Sequence, residues 1–153
     1  MAVKTNVMRI LQQQKIPFKE HTTKADPSLS ADMIAALLGE DPARFFKTLV
    51  TVGHSGEHYV FMVPAPASLD LKKAAKAVGE KSIEMIAQKQ LLPLTGYIHG
   101  GCSPIGMKKA FKTVIDASCS NFKTIIFSAG KLGCFVETDS RLLPYETADI
   151  SAY

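Results

Sequence analysis

The twenty residues FFKTLVTVGHSGEHYVFMVP, Phe45 to Pro64, constrain the fold more than any other stretch. Two runs rich in β-branched and aromatic residues flank H-S-G-E, which predicts a β-hairpin from Phe46 to Val63. Pro64 and Pro66 end it. The period of two puts Phe46, Thr48, Val50 and Val52 on one face and Lys47, Leu49 and Thr51 on the other. Such a hairpin needs covering on both faces, so the rest of the chain must supply strands and helices that pack on it. At 153 residues and 46% hydrophobic content the chain can build that core. No internal repeat or linker interrupts it, so residues 1–153 are read as a single domain.

Helices are expected around the hairpin. Val3, Val7, Ile10 and Leu11 recur at helical spacing over residues 3–14. A short strand, Phe18–Thr22, follows Pro17. Ser30 is placed to cap a helix over Ala31–Leu38 that Gly39 ends. Asp41-Pro42 starts a helical turn. Asp70 caps a helix over Leu71–Val78, and Gly79 stops it. Ser82–Ala87 reads as another short helix, and LLPLTG as a turn. Three further strands are expected at Thr113–Ala117, Thr124–Ser128 and Cys134–Thr138. Strands with helices inserted between them, and no βαβ alternation, predict an α+β fold: a mixed, largely antiparallel, barrel-like sheet flanked by helices.

Composition narrows the chemistry. No run approaches the roughly 18 apolar residues of a membrane helix, and the amphipathic N-terminus lacks the pattern of a signal peptide. A cytoplasmic protein without membrane contact is expected. Cys102, Cys119 and Cys134 are odd in number, widely spaced and without C-x-x-C, so neither a disulfide framework nor a zinc site is indicated. His54 and His58 flank the hairpin turn, which removes helical metal-ligand spacing. No metal and no cofactor is expected. Charge is uneven: residues 72–131 hold ten lysines and three acids, and the remainder is net acidic. That segment is either a solvated lysine-rich surface or one that attracts a polyanion such as RNA.

Two features stand out for chemistry. Lys47 interrupts an otherwise apolar strand. It either snorkels to solvent from the strand end or points into a partly apolar setting, where an ammonium is suited to bind an anion or polarise a carbonyl. The second feature is GGCSPIGMKK, residues 100–109. It matches neither the Walker loop nor G-x-G-x-x-G. Adjacent glycines let a backbone approach a ligand and offer N–H groups, and they also occur in ordinary loops. Cys102 as a nucleophile would need a base or a thiolate-stabilising neighbour. His99 is three residues away along a loop, which predicts no hydrogen bond. No G-x-S-x-G supports a serine triad.

Taken in order, F-K-T-L-V after an acidic-Pro turn, L-D-L-K-K-A-A-K-A-V-G, and T-G-Y-I-H-G-G-C-S-P-I-G-M-K-K resemble the YbaK-like aminoacyl-tRNA deacylase family. That family is related to the editing domain inserted in bacterial prolyl-tRNA synthetases. The resemblance runs from about Asn6 to Asp149. It implies a free-standing trans-editing enzyme that hydrolyses the ester joining a wrong amino acid to tRNA, with Cys-tRNA(Pro) as substrate. It places Lys47 on the family's essential lysine, Gly100 and Gly101 on its Gly-Gly loop, and Ser103 and Pro104 on the G-x-S-P element. Cys102 becomes a pocket wall. The resemblance also implies substrate-assisted chemistry, which relies on substrate groups such as the terminal ribose hydroxyl or the cysteinyl thiol while protein groups position and polarise. Aminoacyl-tRNA, tRNA(Pro), is the implied partner, with prolyl-tRNA synthetase assisting; DNA is not expected. The basic middle segment, including Lys108 and Lys109, is then the tRNA surface. Two positions depart from the family pattern. Thr23 stands where many relatives carry tyrosine, and Phe135 where many carry aspartate, and both bear on which amino acid is accepted. Phe135 can line the pocket or simply pack in the core. Ala- or Ser-charged tRNA(Pro), or a non-catalytic regulatory role on the same fold, are the alternatives.

Overall fold

A computed structural model describes residues 5–153. Val3 lies outside the described residues. The expected first helix is α1 (Asn6–Gln13), capped by Thr5, whose Oγ1 accepts from the Met8 N–H at 3.3 Å. Its buried stripe is Val7, Met8 and Leu11. The hairpin is the centre of the molecule: β2 (Phe46–Gly53) and β3 (His58–Pro64) pair antiparallel from Phe46↔Pro64 to Val52↔His58. Val60, Phe61, Met62 and Val63 of β3 are wholly buried, so this strand is covered on both faces.

Helix α2 (Ala31–Leu37) takes its cap from Ser30, as its sequence predicts. A 3-10 turn over Pro42–Arg44, capped by Asp41, leads directly into β2. Asp70 Oδ1 accepts from the N–H groups of Lys72 and Lys73 at the start of α3 (Leu71–Val78), and Gly79 closes it with φ +73°.

The stretch expected as a helix over Ser82–Ala87 is instead a strand, β5 (Ile83–Met85). It pairs antiparallel with the free edge of β2, Thr51↔Met85 to Gly53↔Ile83. A run this short carries no decisive periodicity, and the unpaired edge of the hairpin decides its state. The LLPLTG stretch, expected as a turn, is a short helix, α4 (Leu91–Thr95), closed by Gly96 at φ +86°.

The remaining strands complete two sheets. β6 (Lys112–Asp116) and β9 (Glu146–Ala148) join the hairpin sheet in parallel, giving the order β5-β2-β3-β6-β9. β1 (Lys19–Thr22), β8 (Cys134–Thr138) and β7 (Ile125–Lys131) form a second, antiparallel sheet in the order β1-β8-β7. An isolated parallel bridge, Phe45↔Ile126, joins the two sheets just before β2 begins. β4 (Ser68–Leu69) and β10 (Ser151–Ala152) pair with each other. The result is the expected α+β fold, mixed and mostly antiparallel. The strand carrying Lys47 starts at the seam between its sheets.

A candidate active site at the seam between the sheets

A cavity of about 200 Å³ opens at that seam. Its walls come from four places: Ser30, Ala31 and Ile34 at the start of α2; Phe46 to Leu49 of β2; His99, Gly100 and Cys102 of the glycine loop; and Ser128 and Phe135 of the second sheet. Lys47 and Cys102, more than fifty residues apart in sequence, therefore face one space.

Lys47 is part-buried, and its Nζ donates to the Ala65 carbonyl at 3.2 Å. Burial lowers its pKa from the ordinary lysine value, and the charge of Asp32 opposes that shift. Among the described residues no carboxylate lies within ion-pair distance of it. A cation with one neutral acceptor, at the wall of an open cavity, has donors left for an anion or a polarised carbonyl. Beside it, the Thr48 hydroxyl is buried without a hydrogen-bond partner among the described residues. Sequence alternation had put Thr48 on the opposite face from Lys47, yet both line the cavity, because it lies at the end of the strand rather than over one face. The orphaned hydroxyl is a polar group awaiting a partner.

The glycine loop contributes unevenly. Gly100 has φ +86° and lines the cavity. Gly101 is buried behind it, and its N–H is already donated to the Ile98 carbonyl at 3.0 Å. A Cβ at Gly101 would lie 3.3 Å from the backbone nitrogen of Leu132, so the loop packs backbone to backbone on the turn between β7 and β8. That contact is the local reason for a glycine there. Gly100 and Cys102 both line the cavity, and their N–H groups take no backbone acceptor among the described residues.

Cys102 is 8% exposed, and burial pushes its thiol up to about 12. At neutral pH it is a protonated, weakly polar wall, without the thiolate that nucleophilic attack requires. Ser103 is wholly buried, and its Oγ accepts from the Ile105 N–H at 3.4 Å. The Pro104 carbonyl accepts from the Tyr145 hydroxyl at 3.3 Å, and Pro104 faces a separate cavity behind the loop. Ser103 and Pro104 thus brace the loop and do not line the seam cavity. Thr23 does not line it either; its N–H donates to the Gly133 carbonyl at 2.8 Å, where β1 leaves β8. Phe135 combines both expected roles. It is 2% exposed, stands edge-on to Phe45 with ring centroids 5.0 Å apart, and forms an apolar wall of the cavity.

One constellation had no signal in the sequence, because its members are up to 116 residues apart. The Glu137 carboxylate accepts from Arg44 and Thr124, each at 2.6 Å, and pairs with the His21 ring at 2.7 Å. Arg44 also reaches Glu40 at 3.4 Å. Donor atoms of His21, Glu40 and Glu137 lie within 4.8 Å of one another, a spacing that a metal ion could use. The Arg44 guanidinium bonds both carboxylates, so that charge is already balanced. The hydrogen bonds and the guanidinium outweigh desolvation and hold Glu137 down at about 2.

Comparison with known proteins adds to this geometry. Residues 26–143 match the family described as the aminoacyl-tRNA editing domain. EbsC of Enterococcus faecalis, named as a candidate Cys-tRNA(Pro)/Cys-tRNA(Cys) deacylase, is 48% identical over 135 residues, covering 88% of this chain and 82% of EbsC. A proline–tRNA ligase of Pelobacter propionicus is 27% identical over 113 residues, 73% of this chain but 20% of the ligase. Among solved structures, a candidate trans-editing enzyme for prolyl-tRNA synthetase superposes with a TM-score of 0.81 at 21% identity, covering 99% of this chain and 100% of the other. The hypothetical protein APE2540 superposes at 0.86 with 20% identity, covering 95% and 99%. At these identities the two structures speak to the fold alone.

Proposed function

Since the chain belongs to the aminoacyl-tRNA editing domain family, we propose that it is a trans-editing deacylase that cleaves the ester of mischarged aminoacyl-tRNA, with Cys-tRNA(Pro) as its principal substrate. The observation that carries this reading is the seam cavity, one space lined both by an ammonium without a carboxylate partner and by Gly100 and Cys102 of the glycine loop.

Lys47 anchors the terminal phosphate or polarises the ester carbonyl as a point charge. The Gly100 and Cys102 N–H groups meet the negative charge that develops on the carbonyl oxygen. Water attacks the ester carbonyl with the substrate's terminal ribose hydroxyl positioning it, giving free amino acid and tRNA. For a cysteinyl ester the thiol can instead attack its own carbonyl, closing a thiolactone and releasing the ribose oxygen with the thiol proton, so the protein's part is to orient and polarise. The protonated state of Cys102 fits that division of labour.

A cavity of about 200 Å³ has room for roughly six or seven waters, which accommodates a cysteinyl or alanyl group. Phe135 and Ile34 give it apolar walls that favour a thiol or methyl over a charged side chain. The same walls would accept alanine, which keeps Ala-tRNA(Pro) as the second substrate to test; binding alone separates such small groups poorly. In this reading the lysine-rich segment meets the tRNA, and prolyl-tRNA synthetase helps deliver it.

The test is to incubate the purified protein with Cys-, Ala-, Ser- and Pro-tRNA(Pro) and follow loss of the charged ester, with and without the synthetase. Cys-tRNA(Pro) is expected to be cleaved fastest and Pro-tRNA(Pro) spared. No hydrolysis of any of them would leave a non-catalytic binding protein.

A further inference from the structure

Behind the glycine loop the chain reads M-K-K-A-F-K, Met107 to Lys112. Phe111 is half-buried. Its inner side packs with Val50, Val60, Leu91 and Cys102, in the layer that backs the seam cavity. Its ring lies 5.6 Å from that of His58, tilted by 54°. On one side of Phe111 is the recess of about 250 Å³ that also holds Pro104 and Tyr145. On the other is an open groove of about 540 Å³ bounded by His58, Tyr59 and Lys112. Lys109 lines both. Phe111 is thus a shared wall of two recesses, among exposed lysines at 108, 109 and 112. The acids facing this surface are Glu57, in the groove, and Glu146, paired with Lys112 at 3.5 Å across exposed side chains.

Aromatic faces alternating with lysines form the surface that receives unpaired nucleotides: bases stack on the rings and phosphates meet the ammonium groups. Duplex RNA would need the lysines and not the rings. The strand register fixes how far this surface lies from Lys47. Lys47 stands opposite Val63, His58 stands opposite Val52, and Lys112 lies beside Tyr59 on the next strand. Five residues along the strand and two strand spacings across it give about 20 Å in the plane of the sheet. His58 and Phe111 lie on the Val50 face, from which Leu91 and Cys102 wall the seam cavity, so a tail of a few unpaired nucleotides enters past that wall.

We propose that Phe111 and His58 form a stacking platform for the unpaired 3′ end of tRNA, with Lys109 and Lys112 on its phosphates, upstream of the aminoacyl group held at Lys47. This rests on the deacylase reading for the identity of the RNA.

The experiment measures binding of a fluorescent acceptor-stem RNA hairpin, uncharged, with either an unpaired 3′ tail or a blunt end. The wild-type protein is expected to bind the tailed hairpin about tenfold more tightly, the gain of one good base–ring stack. Phe111→Leu keeps apolar volume in the cluster and should bring tailed binding down to the blunt level. Phe111→Tyr should retain the preference. Lys109→Glu should weaken binding to any tailed sequence and flatten its salt dependence by about one unit of slope. Melting temperatures of all variants confirm that they are folded. Equal binding of tailed and blunt hairpins, or a Phe111→Leu protein that keeps the preference, would overturn the platform. Tail-dependent binding by a protein that deacylates nothing would instead overturn the proposed function and leave the platform standing.

Discussion

Glu137 and Lys47 each bring a charge into the region where the two sheets meet, and their surroundings differ in kind. Around Glu137 every charge is answered: Arg44, Thr124 and His21 bond the carboxylate, and Glu40 takes the other side of Arg44. Around Lys47 there is one backbone carbonyl, an orphaned hydroxyl at Thr48 and an open cavity. A fold that needed only stability would have paired or removed such a lysine, because a desolvated ammonium is costly. The charge-paired cluster, in which Arg44 Nε alone lacks a hydrogen-bond partner among the described residues, therefore reads as a clasp. It ties β1, β8 and the turn before β2 together, and so sets where Lys47 begins its strand. Lys47, a cation without a carboxylate partner on an open cavity, reads as the site.

This contrast can be broken first at the clasp. Glu137→Ala leaves Arg44 and His21 without their partner and should cost about 3 kcal/mol of unfolding free energy, read by denaturant titration. Activity per folded molecule should fall only a few-fold. A large loss of rate with unchanged stability would move Glu137 into the site.

A smaller effect comes from acid. Glu137 titrates near 2 in the fold against an ordinary value of 4.5. The fold thus favours its ionised form, and the stability this adds is fully present above about 4.5. It is lost as pH falls toward 2, about 3.4 kcal/mol at full strength and on the order of 2 kcal/mol once the solvent screening of a partly exposed carboxylate is discounted. Glu137→Gln should flatten that part of the stability–pH curve, and an unchanged slope would deny the clasp its electrostatic role.

Gly101→Ala sharpens the other side. Its Cβ would press on Leu132 and Lys131 backbone atoms at 3.3 to 3.6 Å, moving the loop by a few tenths of an ångström. Activity should drop about tenfold, since small displacements of positioning groups are expensive in rate, for at most about 1 kcal/mol of stability. Unaltered kinetics would show that the loop's position does not matter. The smallest effect is expected from Cys102→Ser, which should keep activity within about threefold because the native thiol is protonated. A folded but inactive Cys102→Ser protein would restore the nucleophile.

Local signals in the chain were strong where a cap or turn residue marked a boundary. Asp70 and Gly79 bracket α3, Ser30 starts α2, and the hairpin around Gly56 is where its pattern puts it. At Ile83–Met85 a neighbouring strand edge, and not the local pattern, makes the structure. Lys47 and the glycine loop were visible as oddities, but nothing in either segment says that they meet. The resemblance to a family joined them before the cavity did. It did not separate Gly100 and Cys102, which line the cavity, from Gly101, Ser103, Pro104 and Thr23, which support it or lie apart. Thr48 and the Glu137 clasp were silent, since a threonine in a strand and scattered charges look ordinary until the chain folds.

The central claim is that the ammonium without a carboxylate partner is there for the substrate. It is tested most directly by comparing wild-type and Lys47→Ala proteins in single-turnover hydrolysis of Cys-tRNA(Pro), with melting temperature measured in parallel. The prediction is a rate at least about a hundredfold lower, the scale of losing one charged stabiliser of the transition state, at a melting temperature equal to or above wild type. A Lys47→Ala protein that hydrolyses the ester at the wild-type rate, or that loses activity only because it no longer folds, would contradict it.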